Sequence, residues 1–232
     1  MLAEKVRYAH TSFNLSKSIE DSMEDATSGA AGMRRKPQQA RSKRKVNRIL
    51  DVAERMFVEE GYNSATTNVI AKRAKVSIGS LYQFFPDKSA ILQALTTRYR
   101  ELLQQRISAL NCEALDWTLS AYAKALVSVT KQFFDEHPGY HAVFMSAQGA
   151  VPEIETIEEA TDALLVEDLA AFLKTYRPGL SDARYTVIAF ILVKTIGTLI
   201  WLSLEQAPNF QQNLVAETEQ LVLSYLSNHF ED

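Results

Sequence analysis

The chain reads as an all-α protein built in two parts. Three observations carry that expectation: apolar residues recur mostly at three and four, prolines and glycines number only six and eight in 232 residues, and charge is divided sharply along the chain. With 47% hydrophobic residues, the chain is long enough to bury one large core or two modest ones. From Met33 to Arg100, fifteen lysines and arginines face five acids, a net of +10. Residues 101–232 carry −11 and residues 1–32 carry −2, so the formal −3 of the whole conceals a basic module joined to an acidic one. The natural partner of such a basic module is a polyanion.

Residues 1–32 are polar and end in the small-residue stretch TSGAAG, which predicts a disordered and dispensable extension. Residues 33–45 then form a basic arm. The run MRRKPQQARSKRKVNR holds no acid before Asp51, and Lys43, Arg44 and Lys45 are its candidate phosphate contacts, against the blander reading of a solvated tail. Val46, Ile49, Leu50, Ala53, Met56 and Phe57 follow the spacing of one apolar helix face, ending at Glu60 before Gly61. Thr66 suits the N-cap of a second helix, Thr67 to about Ala74, with Ile70 and Ala74 inward. Lys75 and Val76 make a turn. Ser77 caps a third helix that buries Leu81 and Phe85 and turns Ser77, Ile78, Ser80, Tyr82 and Gln83 outward.

Two short helices joined by a tight turn in a net-positive module are the helix-turn-helix arrangement, which sets its second helix in the major groove of DNA. Gly79 and Ser80 permit close approach to base edges, while hydroxyls, an amide and the Ile78 side chain read them. Positive charge belongs around that helix, on the arm and on Lys72, Arg73 and Lys88, where phosphates lie.

Over residues 43–100 the chain resembles the DNA-binding domain of the TetR family of bacterial transcription regulators. The resemblance rests on Gly61-Tyr62, Thr66, Ile70-Ala71, the run Val76-Ser77-Ile78-Gly79-Ser80-Leu81-Tyr82-Gln83-Phe84-Phe85, and Lys88. It implies a helix-turn-helix over 66–85 within a domain of residues 46–101, with Thr66, Tyr82 and Lys88 on phosphates. Ser77, Ile78, Ser80 and Gln83 would approach bases, and Thr67 and Gly79 complete the DNA-facing set. Two residues depart from the family pattern. Lys75 stands where the family usually has glycine, at about 1 kcal/mol if that position is left-handed, and adds a charge beside DNA. Phe84 replaces the usual tyrosine and forgoes a hydroxyl contact. Each residue also has a plainer reading: Tyr82 as a half-buried core residue, Thr66 as a cap only, and Lys88 as a solvated lysine.

Asp87 is placed to cap a long fourth helix, roughly Lys88 to Leu110. Further helices are predicted near 118–136, 139–147, 154–176, 181–206 and 209–230, with Ser181 and Asn209 as caps. Residues 185–204 are apolar nearly all round, and Leu214, Leu221, Val222, Tyr225 and Leu226 form a stripe on the last helix. A helix apolar on every side needs cover beyond its own core, so 181–206 and 209–230 are expected to pair with a second copy in a four-helix homodimer interface. The resemblance implies the same interface, and an effector pocket in the remainder of 102–232. Its candidates are Trp117, Tyr122, Phe133, Phe134, His137, Tyr140, His141, Phe144, Met145, Gln148 and Phe172, each with ordinary core packing as the competing role. The absence of a cationic set there points to a largely apolar or amphipathic small-molecule effector. The expected whole is an N-terminal three-helix helix-turn-helix DNA-binding domain plus a C-terminal helical ligand-binding and dimerisation domain, binding a palindromic double-stranded operator as a homodimer and released by the effector.

Other functions find less support. Cys112 is the only cysteine, which excludes an intrachain disulfide and a cysteine-based zinc site, and a reducing cytoplasm is the expected compartment. Asp135, Glu136, His137 and His141 lie close together, but Pro138-Gly139 interrupts the helix that a metal-binding H-E-x-x-H needs. No nucleophile elbow, phosphate-cradling glycine loop or dinucleotide fingerprint is present, so neither an enzyme nor a cofactor is expected. The stretch 185–204 is long enough to span a membrane, but Lys194 at its centre favours burial in protein. The first 22 residues lack the apolar run of a signal peptide. The expected regulator is a repressor; a helical adaptor acting through protein contacts and an activator of the same family are the remaining alternatives.

Overall fold

The computed structural model describes residues 33–34, 40–141 and 153–230, the side chains of 153–161 excepted. The extension 1–32, the arm residues 35–39, most of the helix predicted at 139–147, and the pocket candidates Phe144, Met145 and Gln148 lie outside the described residues. Among the described residues there are helices and no strand.

Helix α1, Ala40–Glu60, buries Val46, Ile49, Leu50, Val52, Ala53, Met56 and Phe57. It starts six residues before the apolar stripe, so Lys43, Arg44 and Lys45 stand on two helical turns and not on an extended arm. Nothing in the run before Val46 opposes helix, because Arg and Lys are good helix formers. Gly61, at φ 80°, follows the last residue.

Helix α2, Thr67–Arg73, opens with the Thr66 hydroxyl accepting from the Val69 amide at 3.3 Å. It closes with two bonds: the Val76 amide donates to the Ala71 carbonyl at 3.0 Å, and the Lys75 amide to the Lys72 carbonyl at 3.2 Å. This pairing is a Schellman closure, and it places Lys75 at φ 53°. Helix α3, Ile78–Phe84, is capped by Ser77, which accepts from the Ser80 amide at 3.2 Å. Ile70, Ala74, Leu81 and Phe85 are all fully buried and lock α2 and α3 onto α1.

Helix α4, Lys88–Glu113, is capped by Asp87 through the Ala90 amide at 2.8 Å. Its 26 residues give it a length of about 39 Å, and it packs on α1 at one end and on the C-terminal helices at the other. A 3-10 turn, Ala114–Asp116, leads into α5, Leu119–Glu136, whose cap Thr118 accepts from the Ala121 amide at 3.2 Å. Residues 138–141 are again helical. Then follow α6, Glu153–Tyr176, α7, Asp182–Ser203, and α8, Pro208–Ser227. Helix α7 packs against α5, α6 and α8, and α8 also against α5.

Two predicted caps differ. Asn209 lies inside the first turn of α8, because Pro208 occupies the first helical position and Ala207 the cap. Proline suits that place: its fixed φ matches the helix, and its missing N–H would have had no partner there. Ser181 does hold the cap position of α7, but its side chain makes no capping bond.

Candidate nucleic-acid interface

Helix α3 is held from beneath and open above. Leu81, Phe84 and Phe85 face the core, whereas Ser77, Ile78, Gly79, Tyr82 and Gln83 are exposed and Ser80 is half-buried. The Tyr82 ring is 40% exposed, and its hydroxyl lies 3.1 Å from Thr67 Oγ1, so α2 and α3 present one joined polar edge. Ser77 Oγ donates to Ser80 Oγ at 2.9 Å. Phe84 is buried and its carbonyl accepts from the Arg34 amide at 2.9 Å; a tyrosine hydroxyl is therefore not what this position lacks for packing.

Gly79 carries specific information. Its φ is not positive, and a Cβ added there would meet nothing within 4 Å. Neither backbone conformation nor internal packing asks for glycine at this first-turn position of α3.

Lys88 is turned toward the loop between α1 and α2. Its Nζ donates to the Tyr62 carbonyl at 2.7 Å and the Asn63 carbonyl at 3.4 Å, and lies 4.2 Å from the Tyr62 ring centroid. Partial burial lowers its pKa from the ordinary lysine value.

The basic residues of α1 sort by face. Arg41, Arg44, Lys45 and Arg48, at i, i+3, i+4 and i+7, line one wall of a half-open groove of about 520 Å³. Lys75, Val76, Ser77 and Ser80 line the other. Lys43 is exposed but does not line this groove. Lys75 is where the sequence places a charge beside DNA, whereas Arg41 and Arg48 are not among the sequence-derived contacts, although the i, i+3, i+4, i+7 spacing of the four α1 cations is visible in the sequence once that run is taken as helix.

The candidate effector residues form two groups. Tyr122 stacks near Phe172 and Tyr176, with ring centroids 5.0 and 5.3 Å away, and donates to Asn111 Oδ1 at 3.0 Å; the half-buried Trp117 offers its carbonyl to the Tyr176 hydroxyl at 2.8 Å. The second group, Phe133, Phe134, His137, Tyr140 and His141, packs around Tyr99 and Trp201.

This second group touches the DNA-binding end. Arg98 of α4 pairs with Asp51 at 2.6 Å and also with Glu54, both on α1. The Tyr99 hydroxyl faces the Glu54 carboxylate, and burial followed by that carboxylate raises its pKa. Gly139 sits over both: a Cβ there would lie 2.5 Å from Glu54 Oε1 and 2.9 Å from the Tyr99 hydroxyl. The chain after α5 is thus in direct contact with α1.

Helix α7 is long and apolar enough to cross a membrane, yet only 33% of its most apolar window is buried. Lys194 is ion-paired with Asp162 of α6. Val187, Ile191 and Leu202 on α7 and Phe210 and Leu221 on α8 are exposed, while Val222 and Leu226 are buried. The apolar stripe predicted on α8 therefore divides between the chain's own core and an outer face.

An all-helical chain with a presented short helix, a basic groove beside it and an acidic helical remainder is that of a DNA-binding regulator. Residues 49–95 match the family described as bacterial regulatory proteins, tetR family, and residues 118–226 match the tetracyclin repressor-like C-terminal domain. The chain belongs to the TetR family, whose members are DNA-binding transcription regulators and not enzymes, and typically bind operator DNA as dimers. It is 31% identical over 120 residues to the uncharacterized HTH-type transcriptional regulator YuxN of Bacillus subtilis, a match that spans 50% of this chain and only 39% of that protein. It is 28% identical to the HTH-type transcriptional activator FasR of Mycolicibacterium smegmatis over 86% of this chain and 90% of that one. Among solved structures, a TetR-family transcriptional regulator from Streptomyces coelicolor superposes with a TM-score of 0.59 at 25% identity, covering 79% of this chain and 98% of the other.

Proposed function

We propose that this regulator binds a two-fold symmetric operator as a homodimer, reads bases with the outer face of α3, and represses transcription until a small molecule in its C-terminal part releases it. The observation that carries the DNA face is Gly79, a glycine in the first turn of α3 with open space above it and no positive φ that would require glycine. Around it, Ile78, Ser80 and Gln83 supply base contacts, and Thr67 with Tyr82, Arg44 and Lys45 supply phosphate contacts. The homodimer reading is supported by the exposed apolar residues of α7 and α8, and a two-fold pair of α3 helices about 34 to 36 Å apart would meet successive major grooves. A cytoplasmic location follows from that function. The similarity to FasR favours a second reading, an activator working through the same DNA contacts.

The test is a pair of variants titrated against duplex DNA. Tyr82→Ala and Gly79→Ala should each lower affinity by about tenfold or more, the value of one or two lost charge-assisted contacts, while dimer mass and helicity stay unchanged. Unchanged affinity in both would remove α3 as the reading helix.

A further inference from the structure

The groove between α1 and the turn of the helix-turn-helix holds five cations: Arg41, Arg44, Lys45 and Arg48 on one wall and Lys75 on the other. No acid lines it, and none of the five has an ion-pair partner among the described residues. Six cations elsewhere are paired, Arg73 with Glu60, Arg98 with Asp51, Arg106 with Glu136, Lys131 with Asp135, Lys174 with Asp182 and Lys194 with Asp162, and those outside the groove that are unpaired among the described residues, such as Lys43, Arg55, Lys72 and Lys124, do not converge on it. Five converging like charges repel one another, and nothing within the described protein offsets that repulsion.

Lys75 adds a second, independent observation. It occupies the left-handed closing position of α2, φ 53°, where glycine is free of strain and a side chain is not. Its backbone bonds would be made equally well by glycine, since both closing donors are main-chain amides. The strain is therefore borne for the side chain, and that side chain is an ammonium completing the second wall of the groove.

We infer that this groove seats one sugar-phosphate strand of the duplex, flanking the bases met by α3, and that Lys75 is a positioning residue clamping that strand against the basic face of α1. The inference rests on the DNA-binding reading above and specifies it. The Ser77 and Ser80 hydroxyls on the same wall as Lys75 are additional donors to the phosphates.

The experiment uses the full-length chain and a mixed-sequence duplex, with affinity measured from about 50 to 200 mM salt for the wild type, Lys75→Gly, Lys75→Arg and the double variant Arg41→Ala/Arg48→Ala. Lys75→Gly should flatten the slope of log affinity against log salt by about 0.9 per protomer, about 1.8 for a dimer, equally for all sequences, and should raise Tm by about 2 to 4 °C as strain is released. Lys75→Arg should keep both the wild-type slope and Tm, and the double variant should flatten the slope by roughly twice as much as Lys75→Gly. A Lys75→Gly protein of raised Tm whose salt slope equals that of the wild type would overturn the clamp while leaving DNA binding intact. A wild type with no salt-dependent DNA binding would instead overturn the DNA-binding reading, and the clamp with it.

Discussion

Two carbonyls and an aromatic ring already engage the ammonium of Lys88 before any DNA arrives. The resemblance assigns this lysine to phosphate, but its geometry makes it a strut for the loop between α1 and α2. Lys88→Met should therefore cost about 1 kcal/mol of stability, as the part-buried Tyr62 carbonyl loses a charged donor, and chemical denaturation measures it directly. A variant of native stability with weakened DNA binding would return Lys88 to the phosphate set. Tyr122 makes a comparable case in the C-terminal core, where its hydroxyl serves the buried Asn111 carbonyl oxygen. Tyr122→Phe strands that acceptor, and a loss of about 1–3 kcal/mol is expected. Burial also raises the pKa of both Tyr99 and Tyr122 above the ordinary tyrosine value. The sign is then fixed: below about pH 10 both folded and unfolded chains keep these protons, and above it the unfolded chain releases them first, so stability falls as pH rises. Thermal melts from neutral to alkaline pH should show that fall, smaller in Tyr122→Phe. Caps such as Thr66, Ser77 and Asp87 were legible in the sequence because a hydroxyl or carboxylate acting on its own next turn is a local event. The partners of Lys88 were not, since they lie 25 and 26 residues away.

At the scale of elements, periodicity showed the helices and hid their ends. The apolar stripe of α1 begins at Val46, so its first two turns, rich in exposed arginine and lysine, read as an arm. That misreading concealed which cations share a face: Arg41, Arg44, Lys45 and Arg48 do, and Lys43 does not. Sequence spacing likewise leaves the aromatic candidates of the C-terminal part as one set, while packing separates the Tyr122 group from the Phe133 group, because spacing alone does not say which neighbouring helix a face meets. The Phe133 group lies against the DNA-binding part. Through Tyr140 and Gly139 it rests on Tyr99 and Glu54, and Glu54 is held by Arg98, so a change of packing there reaches α1 without passing along the full length of α4. Gly139→Ala would drive a methyl group into the Glu54 carboxylate and the Tyr99 hydroxyl. A stability loss of about 1–3 kcal/mol is expected, together with a changed DNA affinity although the residue lies far from the reading helix. Native stability and native affinity together would show that this junction carries no coupling. Any effector acting through it obeys reciprocity: a tenfold weakening of DNA binding is about 1.4 kcal/mol and weakens effector binding equally in the DNA complex.

Across the whole molecule, charge and apolar surface are segregated. Cations gather on α1 and the turn before α3, while α7 and α8 leave Val187, Ile191, Leu202, Phe210 and Leu221 exposed. Half of that second surface was legible from the all-round apolarity of residues 185–204; the division of α8 between its own core and an outer face needed the packed structure. Ile191→Glu with Leu202→Glu should convert the proposed dimer to monomers that keep their helicity, since both side chains are exposed in the single chain, and should weaken operator binding far more than non-specific binding. Equilibrium sedimentation distinguishes these states. The most direct measurement of the central claim is selection of random duplex DNA by the purified protein at about 150 mM salt, followed by sequencing of what is retained. Enrichment of a sequence with two-fold symmetry, its half-sites about one helical turn apart, is the predicted result. Retention of DNA without any enriched sequence would contradict it.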